Sequence, residues 1–158
     1  MKLVLRAACL FALTLAVAPA DAVVSCTVSA AGVSFGVYNA QNAAPADGLG
    51  TVSVQCTTNK SSESASVSLQ LTAGSGTFAT RTLVSGANQL SYNLYTNSAR
   101  TIVWGNGTSG TSTVTDSYSL QSTSSVNRNY TVYGRMPAQQ TGSSPGTYSD
   151  TVTVTLAF

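Results

Sequence analysis

The sequence predicts an all-β protein, built as an antiparallel sandwich or barrel. Short stretches of alternating apolar and polar residues recur from Val24 to Phe158, and a period of two is the pattern of half-buried β-strands. Clusters of Gly, Asn, Ser and Pro separate these stretches, for example at residues 105–110 and 142–146. Apolar residues at helical spacing extend over no more than one turn. Many short strands separated in this way are typical of sandwiches and barrels.

Nine stretches form the predicted strands, because each places β-branched, aromatic or other apolar residues at every second position. A turn-rich loop with Pro45 and Asp47-Gly48 is predicted over residues 39–50. In chain order the strands contain Val24-Cys26-Val28, Val33-Phe35-Val37, Val52-Val54-Cys56, Ala65-Val67-Leu69-Leu71, Leu90-Tyr92-Leu94, Ile102-Trp104, Val114-Asp116-Tyr118-Leu120, Tyr130-Val132, and a terminal run in which Val152, Val154, Leu156 and Phe158 share the apolar face.

The first 22 residues have the features of a secretory signal peptide. Lys2 and Arg6 supply a basic start, residues 7–18 an apolar core, and Ala20-Asp21-Ala22 a small-x-small cleavage site. The apolar core is too short to span a bilayer as a permanent helix. We therefore expect export, cleavage after Ala22, and one domain with a single core over residues 23–158.

Charged residues are few and stand singly. Residues 23–158 carry five basic and four acidic side chains, a distribution unlike the basic patches that bind nucleic acid or anionic membranes. The chain contains no histidine and, after the signal peptide, two cysteines and no cluster of carboxylates. The sequence therefore gives no support for a metal site, a catalytic site, a small-molecule cofactor or a nucleic-acid partner.

Two short motifs match functional patterns by chance. Residues 32–36 read Gly-Val-Ser-Phe-Gly, as in a serine-hydrolase elbow, but the chain has no histidine to activate the serine and the segment is predicted as strand. Residues 105–110 match the dinucleotide pattern Gly-x-Gly-x-x-Gly, but β-forming residues follow where that motif requires a helix. We interpret the second motif as a hairpin loop.

Asp116 stands on the apolar register of its predicted strand. Either an arginine pairs with it or the strand changes face there, and both interpretations give it a structural role. A glycan hydrolase that uses Asp116 or Asp150 is the weakest functional hypothesis, since neither residue has a second carboxylate nearby in the sequence.

Cys26 and Cys56 are an even pair in an exported chain, which indicates one disulfide formed in an oxidising compartment. Closing a loop of about 30 residues stabilises a fold by roughly 3–4 kcal/mol on the chain-entropy model. An alternative is that Val23-Val24-Ser25-Cys26 is a lipoprotein processing box, with Cys26 as the lipid anchor. A polar spacer before that box, and the loss of a partner for Cys56, argue against this alternative.

Several segments together resemble the spore coat protein U domain family, which includes subunits of archaic chaperone–usher pili. The resemblance extends over essentially the whole of residues 23–158, and it is specific because the segments occur in the same order. They are Cys26-Thr27-Val28, Phe35-Gly36-Val37-Tyr38, Cys56, Leu90-Ser91-Tyr92-Asn93-Leu94-Tyr95, Arg100-Thr101-Ile102-Val103-Trp104-Gly105, Tyr130-Thr131-Val132-Tyr133-Gly134-Arg135-Met136-Pro137 and Pro145-Gly146-Thr147-Tyr148-Ser149-Asp150-Thr151-Val152.

The resemblance implies an immunoglobulin-like antiparallel sandwich that lacks its last strand and is completed by a donor strand from a partner. The expected partners are a periplasmic chaperone, an outer-membrane usher and a neighbouring pilus subunit that donates its strand. The protein would pass through the periplasm to the cell surface or be secreted. The terminal strand, with Val152, Val154, Leu156 and Phe158, would border the open groove, where strand addition supplies main-chain hydrogen bonds.

One departure from the family concerns the donor segment. Only Val23, Val24 and Ser25 separate the predicted cleavage site from Cys26, and three residues span about 10 Å, which is too short for a donor strand. We therefore expect a subunit that accepts a strand but does not give one, in a terminal or minor position. The alternative is a secreted coat or matrix protein of the same fold that completes its own sandwich.

Loops far from the groove contact the target surface in tip subunits of the family. The corresponding candidates in this chain are Ala43 and Pro45 in the first long loop and Asn106 and Thr108 in the second.

Overall fold

The computed structural model describes residues 24–122 and 124–158, and the predicted signal peptide lies outside them. Eight β-strands form in the described residues, and none of those residues forms a helix that is long and apolar enough to cross a membrane. The strands are β1 (Val24–Ser34), β2 (Ala46–Thr58), β3 (Ser62–Leu71), β4 (Arg81–Ser85), β5 (Asn88–Tyr95), β6 (Val114–Gln121), β7 (Ser125–Met136) and β8 (Val154–Ala157).

The strands form two sheets, and every pairing between named strands is antiparallel. One sheet has five strands in the order β1-β2-β7-β5-β4, and the other has three in the order β6-β3-β8. The five-stranded sheet therefore ends at β1 and β4, and the three-stranded sheet ends at β6 and β8. The prediction of an all-β antiparallel sandwich is confirmed.

The core lies between the two sheets and follows the alternation of the strands. In β2, Val52, Val54 and Cys56 are almost fully buried, whereas the residues between them point outward. Trp104 is fully buried and its indole N–H donates a 3.1 Å hydrogen bond to the carbonyl of Leu69. The other buried apolar side chains are Ala65, Val67, Leu69, Leu71, Leu90, Tyr92, Leu94, Tyr118, Leu120, Val132 and Met136.

The prediction of two strands before residue 39 is wrong, because a single strand covers most of that segment. β1 continues to Ser34 through a register shift after Ala31, a local bulge that bends the strand. Phe35 and Val37 then lie outside any strand, since Gly36 adopts a positive φ of 66° that ends the extended conformation.

The predicted loop over residues 39–50 is too long, because β2 already begins at Ala46. Gly48 and Gly50, which resembled turn residues, are buried strand residues. A Cβ at Gly50 would lie 2.8 Å from Val33 Cγ2. The end of β1 packs directly on the β2 backbone at these positions, which explains why the strand has glycines there.

The strand predicted at residues 102–104 is also wrong, because that segment makes only isolated bridges. Val103 bridges Tyr95, and Trp104 bridges Ser112 in the parallel sense. The 105–110 segment is therefore a loop as predicted, but it is not a β-hairpin.

Sequence alternation missed β4 altogether. Its first residue, Arg81, is a charged residue that is fully buried, an arrangement that a pattern of apolar residues does not predict.

The terminal strand is shorter than predicted, because the end of the chain crosses from one sheet to the other. Ser149 bridges Val84 of β4 in the five-stranded sheet, whereas Val154 pairs with Leu71 of β3 in the three-stranded sheet. Residues 150–153 make this crossing, so only Val154–Ala157 forms β8.

Candidate functional site

An apolar groove opens between the free edge of β1 and the terminal segment of the chain. It encloses about 300 Å³. Its walls are residues 30–33 of β1 on one side and residues 150–154 on the other. The floor consists of core side chains from both sheets, which are Val52, Leu71, Tyr92, Leu94 and Val132.

The β1 wall is built from small residues at the edge of the five-stranded sheet. Ala30, Ala31 and Gly32 line the groove and are exposed to solvent. Among the described residues β1 pairs with β2 alone, so its other edge presents backbone groups toward the groove that no described strand pairs. Such an edge is a template for a further strand.

Gly134 of β7 fixes the position of this wall. A Cβ on Gly134 would lie 2.7 Å from Val33 Cγ1 and 2.8 Å from Phe35 Cζ. The glycine therefore allows both side chains to pack flat on the sheet. Phe35 in turn makes an edge-to-face contact with Tyr92 at one end of the groove floor, with ring centroids 5.8 Å apart.

The opposite wall contains two of the four residues that the sequence analysis assigned to the groove edge. Val152 and Val154 are half-buried and line the groove. Leu156 packs against the core farther along β8. Phe158 is 58% exposed, and neither Leu156 nor Phe158 is among the lining residues. Their joint role as a groove edge stays a prediction.

The three-stranded sheet is only partly covered on the groove side. β8 pairs with Ser68–Leu71, and the first half of β3 is paired with β6 alone among the described residues. The outer edge of β8 also has no strand beside it in the described part of the chain. Both sheets therefore present open backbone edges along the same side of the sandwich.

Asp150 anchors the start of the terminal wall. Its Oδ1 accepts hydrogen bonds from the Ser75 amide at 2.9 Å, the Ser75 hydroxyl at 2.8 Å and the Thr151 amide at 2.8 Å. Its Oδ2 accepts a bond from the Tyr92 hydroxyl. Gly74 leaves room for the carboxylate, since a Cβ there would lie within 2.8 Å of all three carboxyl atoms, and its positive φ of 66° also favours glycine.

The Tyr92 hydroxyl is held in its neutral form. Burial raises the pKa of Tyr92 well above its ordinary value, and the hydrogen bond to the Asp150 carboxylate raises it further. Sequence reasoning missed this contact, because the two residues are far apart in the chain and neither belongs to a recognisable motif.

Arg81 supports the floor from behind and is fully buried. Its guanidinium donates to the carbonyl of Thr72 at 2.9 Å, the carbonyl of Trp104 at 2.7 Å and Oδ1 of Asn93 at 2.6 Å. Burial lowers the pKa of Arg81. The carbonyl acceptors satisfy its donors, and they tie β4 to the loops that follow β3 and precede β6.

Asp116 belongs to a different part of the sandwich. It forms an ion pair with Arg128 and accepts a 2.8 Å hydrogen bond from the hydroxyl of Tyr130, which lies 2.9 Å from the hydroxyl of Tyr118. The hydrogen bonds from Arg128 and Tyr130 lower the pKa of Asp116. Of the two interpretations offered for Asp116, pairing with an arginine is confirmed.

Among the described residues there is no group of three or more His, Cys, Asp or Glu that could hold a metal ion.

The predicted disulfide is confirmed. Cys26 and Cys56 are bonded and are direct cross-strand partners in β1 and β2. The bond occupies the sulfur that a lipid anchor on Cys26 would need.

The two loops that are candidates for surface contact are exposed, and hydrogen bonds between its own residues hold the second of them. Ala43 and Pro45 are exposed in the segment before β2, and Asn106 and Thr108 are exposed in the loop before β6. The Asn106 side chain accepts bonds from both the amide and the hydroxyl of Thr108, at 3.0 and 2.6 Å. Their role in surface contact stays a prediction.

Comparisons with known proteins agree with this architecture. No curated protein matches the chain. A similar solved structure is a chain of the CsuC–CsuE chaperone–tip adhesion subunit pre-assembly complex from the archaic chaperone–usher Csu pili of Acinetobacter baumannii, with a TM-score of 0.54 and 23% identity. The match covers 85% of the present chain and 40% of that longer chain, and at this identity it shows a shared fold. The model of the Spore Coat Protein U domain matches residues 11–155, and the chain belongs to that family.

Proposed function

We propose that this protein is a secreted subunit of an archaic chaperone–usher pilus or a related surface fibre, assembled by donor-strand complementation. It would be exported to the periplasm, held there by a chaperone, passed to an outer-membrane usher and displayed at the cell surface. The expected role is adhesion and biofilm formation, with no catalytic activity and no cofactor.

The observation that carries the proposal is the open groove between β1 and residues 150–154. Its floor is made of side chains that belong to the hydrophobic core, and open strand edges border it on both sheets. A strand inserted there would satisfy the backbone groups of the edges and cover apolar surface. The family membership and the fold shared with a chaperone-bound pilus protein support the same function.

We further propose a terminal or minor position in the fibre. The residues before Cys26 that the structure describes, Val24 and Ser25, already pair with Thr58 and Thr57 of β2. They are therefore engaged in the subunit's own sheet and are not free to complete a neighbour. The exposed loops around Pro45 and Thr108 remain the candidates for contact with a target surface.

Co-expression tests this proposal. The chain should accumulate as a soluble one-to-one complex when it is expressed with a periplasmic chaperone of the same assembly system, and it should aggregate or be degraded without that chaperone. Size-exclusion chromatography of periplasmic extracts distinguishes these results. A stable monomer that ignores the chaperone would contradict the proposal.

A self-complete coat or matrix protein of the same fold is the second candidate. It is favoured by the pairing of the terminal segment within the chain, where Ser149 bridges Val84 and β8 pairs with β3. Under this alternative the amides of β8 would be protected from hydrogen exchange in the isolated monomer.

A further inference from the structure

We propose that the accepted strand continues beyond the groove into an outer cavity, so that the partner segment has an apolar part followed by an uncharged polar part. This inference rests on the proposed function, since it assumes that the groove accepts a strand. The outer cavity encloses about 940 Å³ and lies between residues 35–41 and residues 143–150.

The two cavities adjoin each other. Val33, Phe35, Leu83 and Asp150 line both of them. Each wall of the groove also continues along the chain into a wall of the outer cavity, because residues 30–33 lead into residues 35–41 and residues 150–154 follow residues 143–149. An extended segment lying in the groove is therefore directed into the outer cavity at one of its ends.

The side chains that line the two cavities differ in type. In the groove apolar side chains dominate, whereas hydroxyl and amide groups are frequent in the outer cavity. Asp150 is the only charged residue that lines either cavity among the described residues. An occupant that matches this lining has large apolar side chains at alternate positions in the groove and Ser, Thr, Asn or Gly residues beyond it. Besides Asp150 and the tyrosines Tyr38 and Tyr148, the polar lining residues of the outer cavity are Ser34, Asn39, Gln41, Ser143, Ser144, Thr147 and Ser149.

The rim of the outer cavity carries an apolar side chain that is open to solvent. Val37 is 99% exposed. Its neighbour Tyr38 is fixed, since the tyrosine hydroxyl donates a 2.7 Å bond to the carbonyl of Pro137 and accepts a 3.1 Å bond from the amide of Gln140. The valine is thereby held at the rim, where an occupant of the cavity would cover it.

Displacement of the chaperone from its purified complex with this protein by added peptides tests the inference. The short probe is a synthetic peptide of about seven alternating valine and threonine residues, which matches the groove at the rise of an extended strand. Two longer probes add about five serine, asparagine and glycine residues, at the amino end in one and at the carboxyl end in the other. One of the longer probes should bind about tenfold more tightly than the short probe. Size-exclusion chromatography at increasing peptide concentration gives the half-saturating concentration of each probe, and hence the relative affinities of the three.

Two variants show whether the outer cavity causes the higher affinity of the longer probe. Thr147 is exposed and lines only the outer cavity, so Thr147→Arg should remove the advantage of the longer probe and leave the affinity for the short probe unchanged. Thr27 is an exposed threonine that lines neither cavity. Thr27→Arg should therefore change neither the affinity for the short probe nor that for the longer probe.

The remaining outcomes contradict the inference. Equal affinities for the short and both longer probes would overturn it and leave the proposed function intact. Failure of all three probes to bind would overturn both. If sedimentation shows that the free protein self-associates and that Thr147→Arg abolishes this association, a second copy of the chain fills the outer cavity and the inference is wrong.

Discussion

The hydroxyl of Tyr92 donates a 2.6 Å hydrogen bond to the carboxylate of Asp150. This bond joins β5 to the segment that crosses between the sheets, so it fixes one wall of the groove to the floor. The same carboxylate receives both donors of Ser75. The position of the terminal segment therefore depends on one side chain that sequence alternation did not single out.

Replacing this carboxylate should loosen the groove wall. Asp150→Asn presents an amide nitrogen where two sets of donors converge, and we expect the free energy of unfolding to fall by about 1–3 kcal/mol. Urea denaturation measures the loss, and hydrogen exchange at the Thr153 amide should become faster. Asp47→Asn is the matched control, because Asp47 is an exposed partner of Arg100 and Arg135. This substitution should lower the free energy of unfolding by at most about 1 kcal/mol. Equal losses in the two variants would contradict the anchoring role.

A methyl group at Gly134 should displace the β1 wall. The new Cβ of Gly134→Ala would meet Val33 and Phe35 at under 3 Å, so we expect a loss of about 1–3 kcal/mol from overpacking. Gly142→Ala is the control, since a Cβ added at Gly142 would have no atom within 4 Å beyond its chain neighbours. Thermal unfolding of both variants checks the prediction, which is wrong if they melt at the same temperature.

Removal of the disulfide should destabilise the protein through the unfolded state. Cys26 and Cys56 are separated by 30 positions, and a loop of that size corresponds to roughly 3–4 kcal/mol. The double variant Cys26→Ser with Cys56→Ser avoids a free thiol, and denaturant unfolding compares it with the oxidised protein. Reduction of the unaltered protein should reproduce the loss, and stability that does not change on reduction would argue against the assignment.

Acid should weaken the contact between β6 and β7. The hydrogen bonds from Arg128 and Tyr130 lower the pKa of Asp116 in the folded state, so this residue stabilises the fold above its unfolded pKa of about 3.9. The stabilisation is lost as the pH falls through the folded pKa, and stability should decline below about pH 5. Asp116→Asn and Arg128→Gln should both flatten this decline when unfolding is measured as a function of pH. An unchanged pH dependence in both would exclude Asp116 as its source.

Local patterns predicted those parts of the fold that depend on neighbours in the chain. The alternation of Val52, Val54 and Cys56 identified a strand and its buried face, because a half-buried strand imposes its period on the sequence. β4 was missed because the carbonyls that satisfy the buried Arg81 come from residues that precede and follow it in other segments. Charge burial of this kind is set by tertiary contacts and leaves no periodic signal.

The groove could be predicted only in part. The alternation of the terminal strand and the family resemblance pointed to Val152 and Val154, which line the terminal wall. The β1 wall was not identified, since Ala30, Ala31 and Gly32 form no motif and become important only through the bulge that follows Ala31. The contacts of Asp150 span 58 and 75 positions of sequence, which is why inspection of nearby residues classed it as isolated.

The cross-strand position of the disulfide has a mechanical consequence. Cys26 and Cys56 face each other directly in β1 and β2, so tension applied along β1 passes through a covalent bond to β2, the next strand of the five-stranded sheet. Slippage of β1 by one residue would also turn its inward side chains outward, and the bond prevents it. A neighbouring subunit that pulls on β1 therefore transmits the force to the rest of the sheet, and β1 does not separate from β2.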